Sequence, residues 1–425
     1  MAMPPQALRA AVVAAGVALP FVTYALIEDG LLLVGLAAGV VLVSLSLSRP
    51  PAAVLLLVAG VPLMTCMVGG GRPALLATAI PFAAVTAHIM TGDVSVRARY
   101  LPAFLLMGTV LLSFAFPAVR LFTQNSRLTD LTGLLAGLAF LVVATAVPPS
   151  PYRIAQTICC AGAVMSVALL IGGHYADHRL EGFGMNPNYA GVLAALPFVS
   201  GVGLACTRRA PLWLLVAAPC GAVLLATKSR GSILAAAVGI VMILMSGRST
   251  RSKILVAAAA FTAVLLIPGS LAAVESLGVG GRTATELNFN NAIREKAAGV
   301  AVKVALAHPL RGIGYDMFPS YAAQSPNLGI YINTHDDFLR LACEAGLPSV
   351  AILIAVLWKA CRWSGTGDLR VLRAGVVAYA TCLLFANTLS SLMISMPFWA
   401  ALGCLLAHAP DRTQPALCGH RSKVA

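Results

Sequence analysis

Runs of roughly 15–22 apolar residues, parted by short polar links, recur along almost the whole chain, and each is about as long as a helix that crosses a hydrocarbon layer. They fall near residues 8–27, 31–47, 52–68, 74–91, 101–122, 131–147, 154–173, 189–206, 211–227, 231–246, 254–274, 347–361, 374–391 and 394–408, and none of them contains an Asp or a Glu. Helices that are apolar all round have to be buried in protein or lipid. The pattern therefore predicts an all-α, polytopic transmembrane helix bundle of about 12–14 spans, with one long, partly helical loop. Composition agrees, since 59% of the residues are hydrophobic and only 10% are charged. The run at 8–27 is followed at once by the run at 31–47, a pattern of retention in the bilayer rather than of a cleaved leader. Most of the ten cysteines sit inside apolar runs, where they act as small hydrophobes and imply no disulfide or zinc framework.

The links divide the chain into N-terminal transmembrane helices (1–170), central helices with polar motifs (171–274), a large loop (275–346), and C-terminal helices with a tail (347–425). Lys and Arg in short loops orient membrane proteins. With the N-terminus inside, the inner loops collect Arg49, Arg97, Arg99, Arg153, Arg208, Arg209, Arg248, Arg251, Lys253, Lys359, Arg362, Arg370 and Arg373. Most of the net charge of +14 is then an orientation signal against anionic lipid. There is no basic patch interleaved with aromatics, so no nucleic-acid partner is expected.

That topology puts three polar islands on the outer face: Gly172–Tyr189, Thr227–Gly231 and the 275–346 loop. In the first, Asn186 caps a helix whose first residue is Pro187. In the second, Lys228 and Arg230 lie between two short apolar arms, at headgroup depth. The third brings Arg282, Arg294 and Arg311 ahead of His335, with too few acids to neutralise them. Thr334 is placed as a helix N-cap with Asp337 as its capping-box partner, and the helix stops near Gly346. His335 would then occupy the first helical position, where the dipole favours a neutral imidazole able to take a proton. Guanidinium groups bind phosphate oxygens in pairs, so this cationic face suits a diphosphate. No metal-ligand set and no phosphate-cradling glycine loop is present, so no metal, cofactor or nucleotide is expected.

The ordered motifs resemble those of the O-antigen ligase / O-antigen polymerase superfamily of bacterial envelope glycosyltransferases. They are Asn186-Pro187-Asn188, Ser229-Arg230-Gly231, the run from Arg294 through His308-Pro309-Leu310 and Gly312-Ile313-Gly314 to Phe318, and His335 followed by Phe338-Leu339 and Glu344-Ala345-Gly346-Leu347. The resemblance spans about residues 170–360. It implies transfer of a glycan from undecaprenyl diphosphate to an acceptor sugar hydroxyl, on the outer face of the bacterial cytoplasmic membrane. By position, His335 matches the histidine that activates the acceptor, and Arg230 and Arg294 match the arginines that hold the donor diphosphate. Lys228, Arg282, Arg311, Asn186, Asn188, Tyr315 and Asp336 are the further substrate-binding candidates. One departure stands out: the family usually has Asn after that histidine, where this chain has Asp336. Asp336 would either raise the histidine's basicity or pair with Arg340. The expected partners are the lipid-linked glycan donor, a glycan or lipid-linked sugar acceptor, and the bilayer itself.

Direct displacement would invert the anomeric centre. Lipid A core, a growing glycan and a protein hydroxyl are all acceptors this chemistry serves; the lack of a larger outer domain favours a glycan. The competing class is a secondary transporter of an anionic or sugar-containing solute, in which helices broken by Gly and Pro also occur. The absence of acids within the apolar runs leaves a transporter without a visible ion relay.

Overall fold

In the computed structural model of the chain, residues 48–68, 100–119, 128–245, 284–362 and 367–409 are described. The expected spans near 8–27, 31–47, 74–91 and 254–274, and with them Arg282, lie outside these residues.

Among the described residues there are 13 helices and little sheet, so the all-α expectation holds. The helices are α1 (Pro50–Val68), α2 (Leu101–Ala115), α3 (Leu128–Ala146), α4 (Pro151–Gly172), α5 (Pro187–Arg208), α6 (Leu212–Thr227), α7 (Arg230–Met245), α8 (Ala284–Ala307), α9 (Phe318–Gln324), α10 (Asp337–Ala345), α11 (Leu347–Cys361), α12 (Asp368–Cys382) and α13 (Leu392–His408). A two-stranded antiparallel hairpin, β1 (His174–Ala176) and β2 (Arg179–Glu181), stands between α4 and α5. Its turn residues Asp177 and His178 have φ of 49° and 57°, the double left-handed geometry that matches strand twist in two-residue hairpins.

Helix starts follow local chemistry. Ser150 and Asn186 each accept a backbone N–H from the first turn, from Arg153 and Tyr189, and each is followed by a proline at the first helical position. Helix α5 is the hub and packs on α4, α6, α7 and α12. Small residues permit that closeness: a Cβ on Gly162 would lie 2.2 Å from the Pro197 ring. Helix α13 lies against α3 and α1, with Phe398 and Trp399 fully buried beside Tyr379 of α12.

Two helices, Pro151–Gly172 and Pro187–Arg208, are both long and apolar enough to cross a membrane, by length and composition; Leu212–Thr227, Arg230–Met245, Leu347–Cys361 and Leu392–His408 are apolar but shorter.

Hydropathy misjudged three places. The run at 101–122 stops being helical at Ala115, shortly before Pro117. The run at 374–391 is cut at Cys382, and residues 383–391 are irregular before α13 begins. That break carries Asn387, Thr388, Ser390 and Ser391, and side chains from distant elements take up its backbone groups. The third miss is α8, a 24-residue helix inside the long loop. Its buried positions Ala297, Val300, Ala301, Val304 and Ala305 follow a helical stripe, but polar residues such as Arg294, Glu295, Lys296 and Lys303 keep the helix below a hydropathy threshold. The stripe packs with Ile313, Phe318 and Cys343 into a second, smaller core beneath the loop.

Candidate functional site

A cleft of about 260 Å³ opens where four parts of the chain converge. Asn188 and Val192 at the start of α5 form one side, and the Lys228–Ser229 turn with the first residues of α7 forms another. Asn291 and Arg294 of α8 close over it, and Cys382, Phe385 and Ala386 of the α12–α13 break complete the wall. Arg179, from the hairpin, also reaches it. Among the described residues, then, the cleft is lined by Arg179, Lys228, Arg230 and Arg294 and by no carboxylate.

Local geometry makes the cationic turn. Lys228 takes a left-handed conformation (φ 49°) that ends α6, and α7 starts two residues later at Arg230. The N-terminus of α7, with its unpaired N–H groups and positive dipole end, therefore faces the cleft. The Ser229 and Ser232 hydroxyls share a hydrogen bond of 3.0 Å at its floor. Gly231 is needed for close approach, since a Cβ there would lie 2.7 Å from Cβ of Phe385. Arg179 is buried at 7% exposure; its Nε donates to the Thr227 carbonyl and its Nη2 to Asn188 Oδ1, both at 2.9 Å. Sequence reasoning missed Arg179, because an arginine in a polar island between two apolar runs carries no local signal of burial.

His335 stands beside this cleft, half-buried, with φ of 55°. Burial, and secondarily the charge of Arg294, pull its pKa down to about 4, so the ring is neutral. Neutrality was expected, but the helix dipole is not its cause. Asp336, not Thr334, is the N-cap of α10: its Oδ1 accepts the N–H groups of Phe338 and Leu339 at 2.8 and 3.0 Å, leaving His335 outside the helix. The Thr334 hydroxyl donates to the Asp336 carbonyl instead. Asp337 is no capping-box partner; its Oδ2 accepts the N–H groups of Thr388 and Leu389 at 2.6 and 3.0 Å. An aspartate two positions nearer the helix has the better reach to its free N–H groups, and the threonine is left to the loop.

The suggested Asp336–Arg340 pair does not form: the Asp336 side chain caps α10, and Arg340 is paired elsewhere. Arg340 is fully buried among Glu344 (3.1 Å), Asp316 (3.0 Å) and Asp130 (2.9 Å), and its guanidinium lies 5.0 Å from the Tyr315 ring centroid. Tyr315 is 1% exposed in that cluster, away from the cleft lining. Glu344 also accepts the N–H groups of Asp316 and Phe318. Burial, with Asp316 adding to it, pushes the Glu344 carboxyl up to about 7. The glycine run of the loop is structural in the same way: the Ile313 and Gly314 N–H groups donate to the carbonyls of Cys343 and Glu344. At Gly312 (φ 64°) a Cβ would lie 2.3 Å from the Glu344 carbonyl carbon.

Of the residues expected in the site, the structure brings Asn188, Lys228, Arg230 and Arg294 together in the cleft, with His335 close to Arg294. Asn186 is exposed and caps α5, and Arg311 is exposed on the loop after α8; neither lines the cleft. Among the described residues no group of three or more His, Cys, Asp or Glu side chains is placed to hold a metal ion.

Fold and site together define a class: a mostly helical, largely apolar protein whose cleft is lined by Arg179, Lys228, Arg230 and Arg294, with a neutral histidine nearby. Residues 214–354 match the family model described as O-antigen ligase, a segment that includes Arg230, Arg294 and His335. The match supports the O-antigen ligase/polymerase superfamily, and with it the resemblance read from the motifs. No curated protein matches the chain.

Proposed function

We propose that this protein is a multi-pass membrane glycosyltransferase that moves a glycan from undecaprenyl diphosphate to an acceptor sugar hydroxyl, as an O-antigen ligase or polysaccharide polymerase. One observation carries the reading: four cations converge on a cleft whose described lining holds no acid, and a histidine kept neutral stands beside one of them. A diphosphate satisfies that field, and a hydroxyl satisfies the histidine. The polytopic reading is supported by large apolar side chains left bare on several helices, among them Leu105, Ile171, Leu215, Leu234 and Trp358. Short arms such as α6 and α7 fit a turn at headgroup depth. In this reading residues 275–346 and the cleft lie outside the cytoplasmic membrane, as the loop charges favour.

The chemistry is a single displacement. The acceptor hydroxyl attacks the anomeric carbon and gives its proton to the free ring nitrogen of His335, while the anomeric C–O bond to the diphosphate breaks. The electron pair leaves on the diphosphate, whose charge Arg230 and Arg294 stabilise, and the anomeric centre inverts. No metal or cofactor takes part. A histidine near pKa 4 is a weak base, held down chiefly by burial and secondarily by Arg294, and the donor acts on the second of these. A diphosphate on Arg294 neutralises the charge that helps to hold the imidazole down, so donor binding raises the basicity of His335.

The test is a transfer assay in detergent or vesicles, using lipid-linked glycan extracted from the membranes of the producing cells, in excess chelator and without nucleotide. Wild-type protein should consume the donor and His335→Ala should not, while still binding undecaprenyl diphosphate. Transfer by His335→Ala at the wild-type rate, or a 275–346 loop found on the cytoplasmic side by a reporter fused after Leu277, would sink the reading.

A further inference from the structure

The break between α12 and α13, residues 383–391, forms part of the cleft and also touches the chain on both sides of His335, at Thr334 and at Asp337. Phe385 and Ala386 wall the cleft. The next residue, Asn387, is buried, and its carbonyl accepts the Tyr189 hydroxyl at 2.8 Å. On the near side of His335, the Thr334 hydroxyl lies 3.3 Å from Asn387 Oδ1. On the far side, Asp337 accepts from Thr388 and Leu389, and its own N–H donates to the Leu383 carbonyl at 2.8 Å. His335 is thus bracketed by two tethers to one short segment.

The amide of Asn387 sharpens the picture. The single Thr334 hydroxyl proton is directed to the Asp336 carbonyl at 2.9 Å, so it is not available to Asn387 as well. Asn387 Nδ2 meanwhile is buried with no hydrogen-bond partner. Turning the amide over satisfies both groups, with Nδ2 donating to Thr334 Oγ1. Asn387 then locks the residue before His335 by a directed bond, while its carbonyl holds Tyr189, three residues after the Asn186 cap. A non-glycine residue at φ 55° is costly, and such backbone persists where its surroundings over-determine it.

We propose that Asn387 and Asp337 are positioning residues for the transfer reaction, clamping His335 in a strained backbone against the cleft so that its ring meets the acceptor hydroxyl and the donor diphosphate in one geometry. The inference rests on the function proposed above. A displaced base costs turnover more than it costs donor binding, because the cations that bind the donor sit on α7 and α8, not on the break. A misplacement of about 1 Å at a reacting group lowers the rate about 100-fold.

The experiment measures turnover, donor KM and undecaprenyl diphosphate binding for Asn387→Ala, with Thr334→Val as the milder variant that removes one hydroxyl and keeps the shape. Asn387→Ala should lower kcat about 100-fold and Thr334→Val about 10-fold, with donor KM and binding within about twofold. The His335 pKa, followed by NMR of ring-labelled protein, should rise in Asn387→Ala toward its free value as the ring leaves its buried seat beside Arg294. Wild-type kcat in Thr334→Val overturns the clamp, and so does a parallel loss of kcat and donor binding with an unmoved His335 pKa, since that is general destabilisation. If Asn387→Ala does not fold, the kcat of Thr334→Val decides alone. The two proposals fail differently: a dead His335→Ala beside a fully active Thr334→Val removes only the clamp, whereas an active His335→Ala removes the function and with it anything to position.

Discussion

The Arg179 Nε donates to the carbonyl of Thr227 at 2.9 Å, and that bond ties the hairpin before α5 to the last residue of α6, where the cationic turn begins. The same guanidinium holds Asn188 through Nη2, so one buried side chain joins the first polar island to the second. Arg179→Ala should leave a buried carbonyl and a side-chain amide without these donors, at about 1–3 kcal/mol each. The thermal midpoint in detergent should drop, and binding of undecaprenyl diphosphate should weaken as the Lys228–Arg230 turn loosens. Arg179→Lys keeps the charge but has no fork to reach both acceptors, so it should recover only part of the loss. An unchanged midpoint in Arg179→Ala would show the bonds to be dispensable.

Arg230 and Arg294 face the cleft from α7 and α8, and their proposed task is to hold the diphosphate. Replacing either with Ala should lower kcat/KM by about 100- to 1000-fold if each stabilises the leaving charge. Arg230→Lys should fall well short of wild type, because an ammonium group offers no planar pair of donors. The thermal midpoint of Arg230→Ala should change little, since the side chain is exposed. Full transfer by Arg230→Ala would leave that residue as a headgroup anchor.

From the sequence, Arg340 on the far side of the short helix one turn beyond His335 is expected to tolerate replacement by Ala. Its burial among Glu344, Asp316 and Asp130 reverses that expectation. Arg340→Ala should destabilise the protein by about 3–5 kcal/mol, because it strands buried carboxylates around an empty place. Thermal melts should show the loss, and it should shrink at acid pH, where those carboxylates take protons.

Asp336→Asn should be nearly silent. Asn and Asp cap helices about equally well, and the cap is what Asp336 supplies here. The usual family residue at this place is also a good cap, so the departure from family pattern has a common physical basis. The pH dependence of transfer should stay put in Asp336→Asn, while Asp336→Ala should cost about 1 kcal/mol of stability. A shift of the acidic limb in Asp336→Asn would mean that the carboxylate tunes His335 after all.

His335 is also linked to stability through pH. Its folded pKa of about 4 lies below the roughly 6.5 of an unfolded histidine, so between those values the unfolded chain takes a proton that the folded chain refuses. The His335 contribution is therefore complete above about pH 6.5 and is lost as pH falls toward 4. Burial raises Asp337 and Glu344 to about 7, and these give the opposite slope over the same window. The histidine term is isolated by difference: the midpoint of His335→Gln relative to wild type should rise as pH is lowered from 7 to 4.5. A constant difference across that range would mean that the ring is protonated freely in the folded state.

How much of this could be read beforehand follows from where each cause lies. The apolar runs, the Asn186–Pro187 helix start and the end of α10 at Gly346 are matters of neighbouring residues, and the sequence by itself determined them. Ordered motifs likewise singled out Arg230 and Arg294, which the structure brings to one cleft, and His335 as candidates. Four things were decided only by the tertiary structure. Arg179 becomes part of the cleft because Thr227, 48 residues away, offers it a carbonyl. Helix α12 stops at Cys382 because Asp337 and Tyr189 take the backbone groups that a continued helix would have used. The cap falls to Asp336, whose Oδ1 takes the Phe338 and Leu339 N–H groups, because Asp337 is claimed by Thr388 and Leu389 of the break. Arg340 is a core residue because Asp130 reaches it from another helix. In each case the deciding partner is distant in the chain, and the free energy of a buried polar group depends on that partner rather than on its sequence neighbours.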